Sequence, residues 1–221
     1  MRRALVIGAS GGIGSALAEA LDRQGAEVIR LSRSADGLDV TDEALVERAL
    51  GRLEPPFDRI LVATGALSPA RDAPEKRIAE VTPEGLRAAF DANAVGPMLV
   101  LKHALRLLPK DAPSVFAALS ARVGSIGDNG IGGWHSYRAS KAALNQLLHG
   151  AAVELRRTHR HATVLLLHPG TVATPFTAEY AGRHRTVAAE DAAVNLLNVI
   201  DGANLEMSGG FYDYAGERIE W

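Results

Sequence analysis

The chain of 221 residues contains no cysteine. This absence excludes disulfides, thiol nucleophiles and zinc sites built on cysteine. The chain also lacks an excess of positive charge, because 24 lysines and arginines are set against 26 aspartates and glutamates and give a formal net charge of −2. This balance argues against nucleic acid or an anionic membrane as a partner.

Long hydrophobic runs are absent as well. No run reaches membrane-spanning length, and residues 1–3 lead directly into a short strand pattern, unlike a signal peptide. We therefore expect a cytoplasmic protein. The hydrophobic share of 47% and the charged share of 23% are ordinary for a globular protein. Since there is no repeat or linker, the length predicts a single domain over residues 1–221.

Short apolar runs alternate with helical patterns along the chain. Strands are predicted over residues 4–7, 27–31, 60–63, 115–119, 164–167 and 211–212, with a short further strand at Leu38. Helices are predicted over 12–24, 42–53 (entered through Thr41) and 189–200, from Trp134–Ser136 onwards, and over 83–108 with a kink at Pro97. The alternation predicts an α/β fold, a single-domain Rossmann-type doubly wound parallel sheet with helices on both faces.

A glycine-rich loop follows the first predicted strand. Gly8, Gly12 and Gly14 form the pattern Gly-x-x-x-Gly-x-Gly, and a predicted helix begins within it. Glycine lets the backbone approach a pyrophosphate closely, and a helix N-terminus adds N–H donors and the positive end of the helix dipole. By itself such a loop is also compatible with a simple turn. Its place between a buried first strand and a helix predicts nucleotide binding.

Tyr137 and Lys141 lie four residues apart in a stretch of strong helix formers. On a helix, this spacing places both side chains on one face, one turn apart. A free tyrosine has a pKa of about 10, too high for efficient proton transfer at neutral pH. A neighbouring ammonium favours the phenolate and lowers that pKa. The pair therefore predicts a general acid/base, although Tyr-x-x-x-Lys alone also occurs in ordinary amphipathic helices.

The glycine loop and the Tyr137–Lys141 pair together resemble the short-chain dehydrogenase/reductase family. Other family segments occur in the same order, namely Ala63-Thr64-Gly65 after a strand, Asn93 in the long helix, and 169–174 after a later strand. Segment 120–129, Gly132-Gly133-Trp134 and 208–214 resemble the C-factor-like branch of that family. Some members of that branch are described as cell–cell signalling proteins.

The resemblance implies an oxidoreductase that moves hydride between a nicotinamide and a small-molecule carbonyl or alcohol. It implies that Tyr137 is the general acid/base, that Lys141 holds the ribose hydroxyls and keeps the Tyr137 pKa low, and that Asn93 holds a water linking Lys141 to solvent. Asn93 is also compatible with a role in capping carbonyls freed by Pro97. The implied cofactor contacts are Gly8, Ser10, Gly12, Ile13, Gly14, Ser32, Arg33, Ser34, Asp39, Val40, Ala63, Thr64, Gly65, Tyr137, Lys141, Pro169, Gly170, Val172 and Thr174.

Two positions depart from the family pattern. Ala63-Thr64-Gly65 replaces Asn-Ala-Gly, which changes a hydrogen bond more than the loop shape. The catalytic serine of the family is the second residue of Ser-Ser after strand five, and here Ala121 occupies that position. The following loop is longer than usual and contains Ser125, which we predict to be the replacement donor. Ser120, Ser136 or no serine at all are the alternatives.

The end of the second strand indicates which dinucleotide is used. NAD-binding proteins of this type carry an acid there that binds the ribose 2′-hydroxyl. This chain has Ser32-Arg33-Ser34 instead, an arginine between two hydroxyls. The arrangement favours a 2′-phosphate, and we expect NADP(H) to be preferred over NAD(H). The alternative is that Arg33 is an ordinary solvated arginine.

No metal site is predicted, because His159 and His161 lie among arginines at a helix end and His168 is expected to pack beside the cofactor. Trp134, Phe176 and Tyr180 are candidate walls of an open substrate pocket, although each is compatible with ordinary packing. A homodimer or homotetramer is expected from the family, with Leu101, Leu105, Leu144 and Leu148 as apolar positions on the paired helices.

Three functions are compatible with these residues. The first is an NADPH-dependent carbonyl reductase or alcohol dehydrogenase. The second is a nucleotide-binding signalling or regulatory protein with weak or no turnover, which Ala121 favours. The third is another enzyme on the same fold, such as an epimerase or dehydratase. We expect the first.

Overall fold

The computed structural model describes residues 2–174, 176 and 186–221. Its centre is one sheet of six parallel strands in the order β2-β1-β3-β4-β5-β6. The strands are β1 (Arg3–Ile7), β2 (Glu27–Leu31), β3 (Arg59–Val62), β4 (Ser114–Leu119), β5 (Ala162–His168) and β6 (Gly210–Asp213). Ile7 pairs with Leu31 on one side and with Val62 on the other, so the carboxyl ends of β2, β1 and β3 lie side by side.

Helices cover both faces of the sheet. They are α1 (Gly12–Arg23), α2 (Arg33–Asp36), α3 (Glu43–Gly51), α4 (Pro83–Phe90), α5 (Gly96–Ala104), α6 (His135–Thr158) and α7 (Ala189–Asp201). Alternate strand residues serve the two faces: Ala4 and Val6 pack with α1 and α7, whereas Leu5 and Ile7 pack with α3, α5 and α6. The predicted doubly wound fold is confirmed. No helix in the described part of the chain is long and apolar enough to cross a membrane.

The predicted strand at Leu38 is wrong. Residues 37–39 have no regular structure, and Leu38 and Val40 are buried against the core from a loop. The apolar side chain of Leu38 is therefore a sign of burial in the core and not of pairing with a neighbouring strand. A four-residue helix, α2, precedes the loop and was not predicted. Helix α3 begins after Asp42, whose carboxylate accepts hydrogen bonds from Ala44 and Leu45, and not after Thr41.

The helix predicted over residues 83–108 is present without a break over 83–107, but it is not α-helical throughout. It contains a π-helical turn over Asp91–Val95, between α4 and α5, and a 3₁₀ turn follows α5 at Leu105–Leu107. The irregular turn precedes Pro97 and includes Asn93. Such π turns inside helices occur frequently at functional sites.

The leucines proposed for an oligomer interface lie in the core. Leu101, Leu144 and Leu148 are buried, and Leu105 is partly buried against the same cluster. The reason is helical periodicity, since Leu144 and Leu148 share the face of α6 that packs on the sheet. The exposed aliphatic side chains of these helices are others, namely Val95, Leu147 and Val153.

Candidate active site

The glycine-rich loop is drawn tightly across the ends of β1 and β3. Gly8 has a φ of +88°, and its N–H donates to the Leu31 carbonyl at 2.8 Å. A Cβ at Gly8 would lie 2.9 Å from the carbonyl carbon of Ala63, and a Cβ at Gly14 would collide with the Gly8 carbonyl oxygen. Side chains are therefore excluded at both positions. Helix α1 begins within this loop, at Gly12, without a capping side chain, which is the arrangement that binds a pyrophosphate.

The end of β2 carries both an arginine and an acid. The Arg33 side chain is 82% exposed and lies 3.9 Å from the Asp39 carboxylate. Two hydrogen bonds from Thr41, and to a smaller extent the charge of Arg33, lower the pKa of Asp39. The sequence suggested no acid at this strand end, yet Asp36 folds back and accepts a hydrogen bond from the Ser32 N–H at 2.7 Å. The four-residue spacing of Ser32 and Asp36 within one helical turn is the signal that was missed.

Asn93 joins the loop after β3 to the Tyr137 helix. Its side-chain oxygen accepts from the Ala66 N–H at 2.8 Å, and its amide donates to the Ala66 carbonyl at 2.8 Å and to Ser140 Oγ at 3.0 Å. The alternative that Asn93 caps the carbonyls freed by Pro97 is therefore wrong, because its side-chain amide donates to Ala66 and Ser140 instead. A Cβ at Gly65 would lie 3.2 Å from Asn93 Oδ1 and 3.4 Å from Lys141 Nζ, so the side chains of Asn93 and Lys141 both lie beside Gly65.

Tyr137 and Lys141 are buried on one face of α6. Lys141 Nζ lies 5.9 Å from the centre of the Tyr137 ring and donates to the Leu119 carbonyl at 2.8 Å, at the end of β4. Burial lowers the pKa of Lys141 to about 8. Burial also raises the pKa of Tyr137 above its ordinary value, which is opposite to the expected direction. The site thus holds Tyr137 as a neutral phenol, the form that donates a proton.

Two aromatic side chains flank Tyr137. The Trp134 ring lies edge-on at 6.2 Å between ring centres, and the Phe176 ring lies tilted at 6.2 Å. Both predicted wall residues are therefore next to the candidate acid. Tyr180, the third, lies outside the described residues.

The structure separates the candidate serines. Ser120 Oγ donates to Asn145 Oδ1 at 2.7 Å, and Ser136 Oγ donates to the Glu75 carboxylate. Ser125 Oγ instead accepts from the Asp128 N–H at 3.1 Å, which leaves its own hydrogen available to donate. Ser125 also lies next to the Tyr137 helix, since a Cβ at the preceding Gly124 would contact Lys141 Cβ.

The segment after β5 closes the remaining side of the glycine loop. A Cβ at Gly12 would lie 2.7 Å from Thr174 Cγ2, so this end of the segment touches the start of α1. Gly170 has a φ of +79° and packs against the Tyr214 ring, and Val172 is buried. His168 ends β5, and burial lowers its pKa to about 4, so the imidazole is neutral. Within the described residues, no cluster of His, Asp and Glu has the arrangement of a metal site.

Glu75 is a site residue that the sequence did not reveal. Its side chain is 2% exposed and it accepts hydrogen bonds from Ser136, the residue before Tyr137. It is 61 positions away along the chain. No periodic pattern connects a loop glutamate with a distant helix N-terminus.

The chain is similar over most of its length to known proteins. The family model for enoyl-(acyl carrier protein) reductase matches residues 8–204. A 1-hydroxy-2-glutathionyl-2-methyl-3-butene dehydrogenase from Rhodococcus sp. (strain AD45) is 32% identical over an alignment of 236 positions that covers 100% of both chains. C-signal from Myxococcus xanthus is 39% identical over 132 residues, covering 60% of this chain and 76% of that protein.

Solved structures have the same fold. A carbonyl reductase from Pseudomonas aeruginosa PAO1, in complex with NADP, superposes with a TM-score of 0.82 and 26% identity over 100% of both chains. The agreement extends from the matched family model to a full-length relative and a full-length structure. The chain therefore belongs to the short-chain dehydrogenase/reductase family, an oxidoreductase family, and to its C-factor-like branch.

Proposed function

We propose that this protein is an NADPH-dependent carbonyl reductase in which Tyr137 is the proton donor. The observation that carries the proposal is the buried phenol of Tyr137, one helical turn from Lys141, whose ammonium lies near Asn93. These groups lie at the carboxyl ends of the strands, where such sheets bind ligands. An assay of NADPH absorbance against aldehydes, ketones and quinones tests the proposal directly. Absence of turnover with every class would contradict it.

The residues present fit a dinucleotide. Gly8 and Gly14 form a backbone cradle that any Cβ would fill, and α1 begins at its edge. Thr64 Oγ1, on the loop after β3, is buried without a hydrogen-bond partner and is available to a ligand. Lys141 would hold the nicotinamide ribose, and Arg33 with Ser32 would hold the adenine ribose and its phosphate.

The proton and the charges are supplied by the protein. When bound, the reduced nicotinamide supplies a hydride to the carbonyl carbon. Tyr137 gives its hydroxyl proton to the carbonyl oxygen of the substrate. Because the pKa of Tyr137 is raised, its phenolic oxygen keeps the proton until this transfer. The Lys141 ammonium stabilises the negative charge that Tyr137 then carries. Asn93 fixes the loop at Ala66 against α6, and we propose that it holds a water through which Lys141 exchanges protons with solvent.

The cofactor preference is expected to favour NADPH over NADH by about ten- to a hundredfold in affinity. One charge-assisted hydrogen bond from Arg33 to a 2′-phosphate contributes about 1.5–3 kcal/mol. Calorimetric titration with both cofactors measures the ratio. Arg33→Ala should remove the preference, and Arg48→Ala, an exposed arginine on α3, should keep it. Equal affinities in the unaltered protein would show that Arg33 does not reach the phosphate.

The pH profile of carbonyl reduction is expected to fall above about pH 8. The neutral phenol persists to higher pH, because the pKa of Tyr137 is raised, whereas Lys141 loses its proton near 8. Reduction uses the protonated form of both groups, so kcat/KM should be flat below pH 8 and fall above it. A profile that remained flat to pH 10 would contradict the assigned role of Lys141.

Lys141→Ala should lower both kcat and NADPH affinity.

The aromatic pair beside Tyr137 supports an apolar or aromatic carbonyl substrate. Trp134 and Phe176 lie on different parts of the chain and both contact the Tyr137 ring. A flat substrate placed with its carbonyl at Tyr137 would contact both rings. Small hydrophilic aldehydes should therefore be poorer substrates than aryl ketones or quinones in the same panel.

A signalling or regulatory role is the second candidate. Ala121 lacks the hydroxyl that the family uses at this position, and the similarity to C-signal covers 60% of the chain. Slow turnover with tight NADPH binding would favour this reading over the reductase.

The proposal includes a homodimer or homotetramer. Val95, Leu147 and Val153 are exposed aliphatic side chains on or beside helices that this family uses for pairing. Burying them between copies would stabilise the pairing by the hydrophobic effect. Light scattering after size exclusion should therefore give two or four chains at micromolar concentration. A monomer there would contradict the expectation.

A further inference from the structure

We propose that Glu75 is a positioning residue for the Tyr137 acid, acting through Ser136 and Trp134. The inference rests on the proposed reductase function. Glu75 lies on the loop between β3 and α4, and its side chain is buried. The hydrogen bonds made by Glu75 reach the residue directly before Tyr137 and the aromatic wall beside it.

The carboxylate replaces a cap that α6 lacks. The residue before the first turn is Trp134, which has no capping side chain. Glu75 accepts from Ser136 Oγ through one carboxylate oxygen and from the Ser136 N–H at 3.4 Å through the other. A carboxylate at a helix N-terminus is favoured by the free N–H groups and by the helix dipole. The first turn of the Tyr137 helix is therefore held by a residue from another element.

A second helix N-terminus lies beside the same carboxylate. Gly85 is in the first turn of α4, and a Cβ there would lie 3.7 Å from Glu75 Oε1 and 3.8 Å from Ser136 Oγ. Burial raises the pKa of Glu75, but the hydrogen bonds from Ser136 and the charge of Arg71 outweigh it, so the pKa lies below its ordinary value. Glu75 is thus a carboxylate anion that bonds to the first turn of α6 and lies beside the first turn of α4.

The backbone of Glu75 also fixes the aromatic wall. Its carbonyl accepts from the Trp134 N–H at 2.5 Å. Trp134 has φ 50° and ψ 41°, a left-handed conformation that costs free energy for any residue with a side chain. Strain of this kind persists only where the surroundings impose it. A side-chain substitution keeps this carbonyl, so its effect on Trp134 must pass through the loop. Without the carboxylate bonds to Ser136 the loop should loosen, which should weaken the backbone bond to Trp134 and change the position of its ring against Tyr137.

Four variants separate positioning from simple support of the loop. Glu75→Gln keeps one acceptor oxygen and removes the charge, whereas Glu75→Ala removes both. Ser136→Ala removes the partner hydroxyl. Glu80→Gln is the matched control, because Glu80 accepts from the Lys76 N–H at 2.9 Å and pairs with Arg77 within the same loop, without a hydrogen bond to α6.

Kinetics and binding give the first readout. We expect kcat to fall about tenfold in Glu75→Gln and Ser136→Ala and about a hundredfold in Glu75→Ala, from displacement of the acid. NADPH affinity should stay within twofold, since the contacts of Glu75 are with Ser136 and Trp134 and neither is assigned to the cofactor. The kcat of the double variant Glu75→Gln/Ser136→Ala should be no lower than that of the less active single variant, because both substitutions remove the same contact. Unchanged kcat in Glu75→Gln, or an equal fall in Glu80→Gln, overturns the inference.

Tryptophan emission gives a readout that needs no turnover. The chain has two tryptophans, so Trp221→Phe leaves Trp134 as the single emitter. In that background, Glu75→Gln should shift Trp134 emission and Glu80→Gln should not. An unmoved emission in Glu75→Gln overturns the inference by itself. Failure of the reductase function shows differently, as absent turnover in the unaltered protein across the substrate panel.

Discussion

Tyr137→Phe is expected to abolish carbonyl reduction and to leave NADPH affinity nearly unchanged. The substitution removes the phenolic proton beside Lys141 and keeps the ring that packs between Trp134 and Phe176. A positioned general acid contributes about a hundred- to ten-thousandfold to the rate, so the loss should fall on kcat. Steady-state kinetics with the best carbonyl of the panel, and calorimetry with NADPH, measure the two quantities.

The control for this variant is Tyr212→Phe. Tyr212 lies on β6, away from α6, and its hydroxyl packs beside Gly210. Full activity there and its loss in Tyr137→Phe would assign the effect to one hydroxyl. Activity above a few per cent in Tyr137→Phe would contradict the assigned acid. A parallel loss of NADPH affinity would instead indicate that the Tyr137 hydroxyl binds the cofactor.

Local patterns explain how much of the fold was predictable. The strand at 27–31 and the start of α1 at Gly12 agree with the structure because burial, glycine and helix periodicity act within a few residues of each other. Leu38 failed for the same reason, since one buried apolar residue in a loop has the local pattern of a short strand. The alternation of strands and helices predicted a parallel sheet with helices on both faces, which the structure has, but it did not predict the order of the strands.

Long-range contacts explain what was not predictable in the site. Tyr137 and Lys141 are joined by helical spacing and were found from it. The pKa of Tyr137 depends on its burial, which no local pattern reports, so the expected lowering was opposite to the direction in the structure. The hydrogen bonds between Glu75 and Ser136 and between Asn93 and Ala66 each join residues that are far apart in the sequence. Such contacts appear only when the fold brings them together.

The position of Ala121 raises the question of which group stabilises the developing oxyanion. Alanine has no hydrogen to donate. Ser120 and Ser136 both have a hydroxyl, but in each the hydrogen is directed to a buried acceptor, Asn145 or Glu75. Ser125 is buried beside the Tyr137 helix, and its hydroxyl is the acceptor in its bond with Asp128. Of these three hydroxyls, only that of Ser125 has a hydrogen that is not directed to a neighbouring acceptor, and we propose it as the donor to the carbonyl oxygen.

Ser125→Ala is accordingly expected to lower kcat about a hundred- to a thousandfold, the usual cost of losing one oxyanion donor, or roughly 3–4 kcal/mol. Ser120→Ala is the matched control and should fall far less. Ser136→Ala should fall only by the tenfold of the positioning effect. NADPH affinity, measured by titration, should be unchanged in Ser125→Ala and Ser120→Ala, because neither hydroxyl is assigned to the cofactor.

The reverse substitution decides whether the donor is missing altogether. Ala121→Ser restores the hydroxyl at the family position, two residues after the end of β4. If Ser125 already stabilises the oxyanion, Ala121→Ser should change kcat little, because a second donor would compete for the same oxygen. If Ser125→Ala is kinetically silent and Ala121→Ser raises kcat, the oxyanion has no serine donor in the unaltered protein. The signalling or regulatory reading would then be preferred, since a site without this donor turns over slowly while its dinucleotide cradle remains intact.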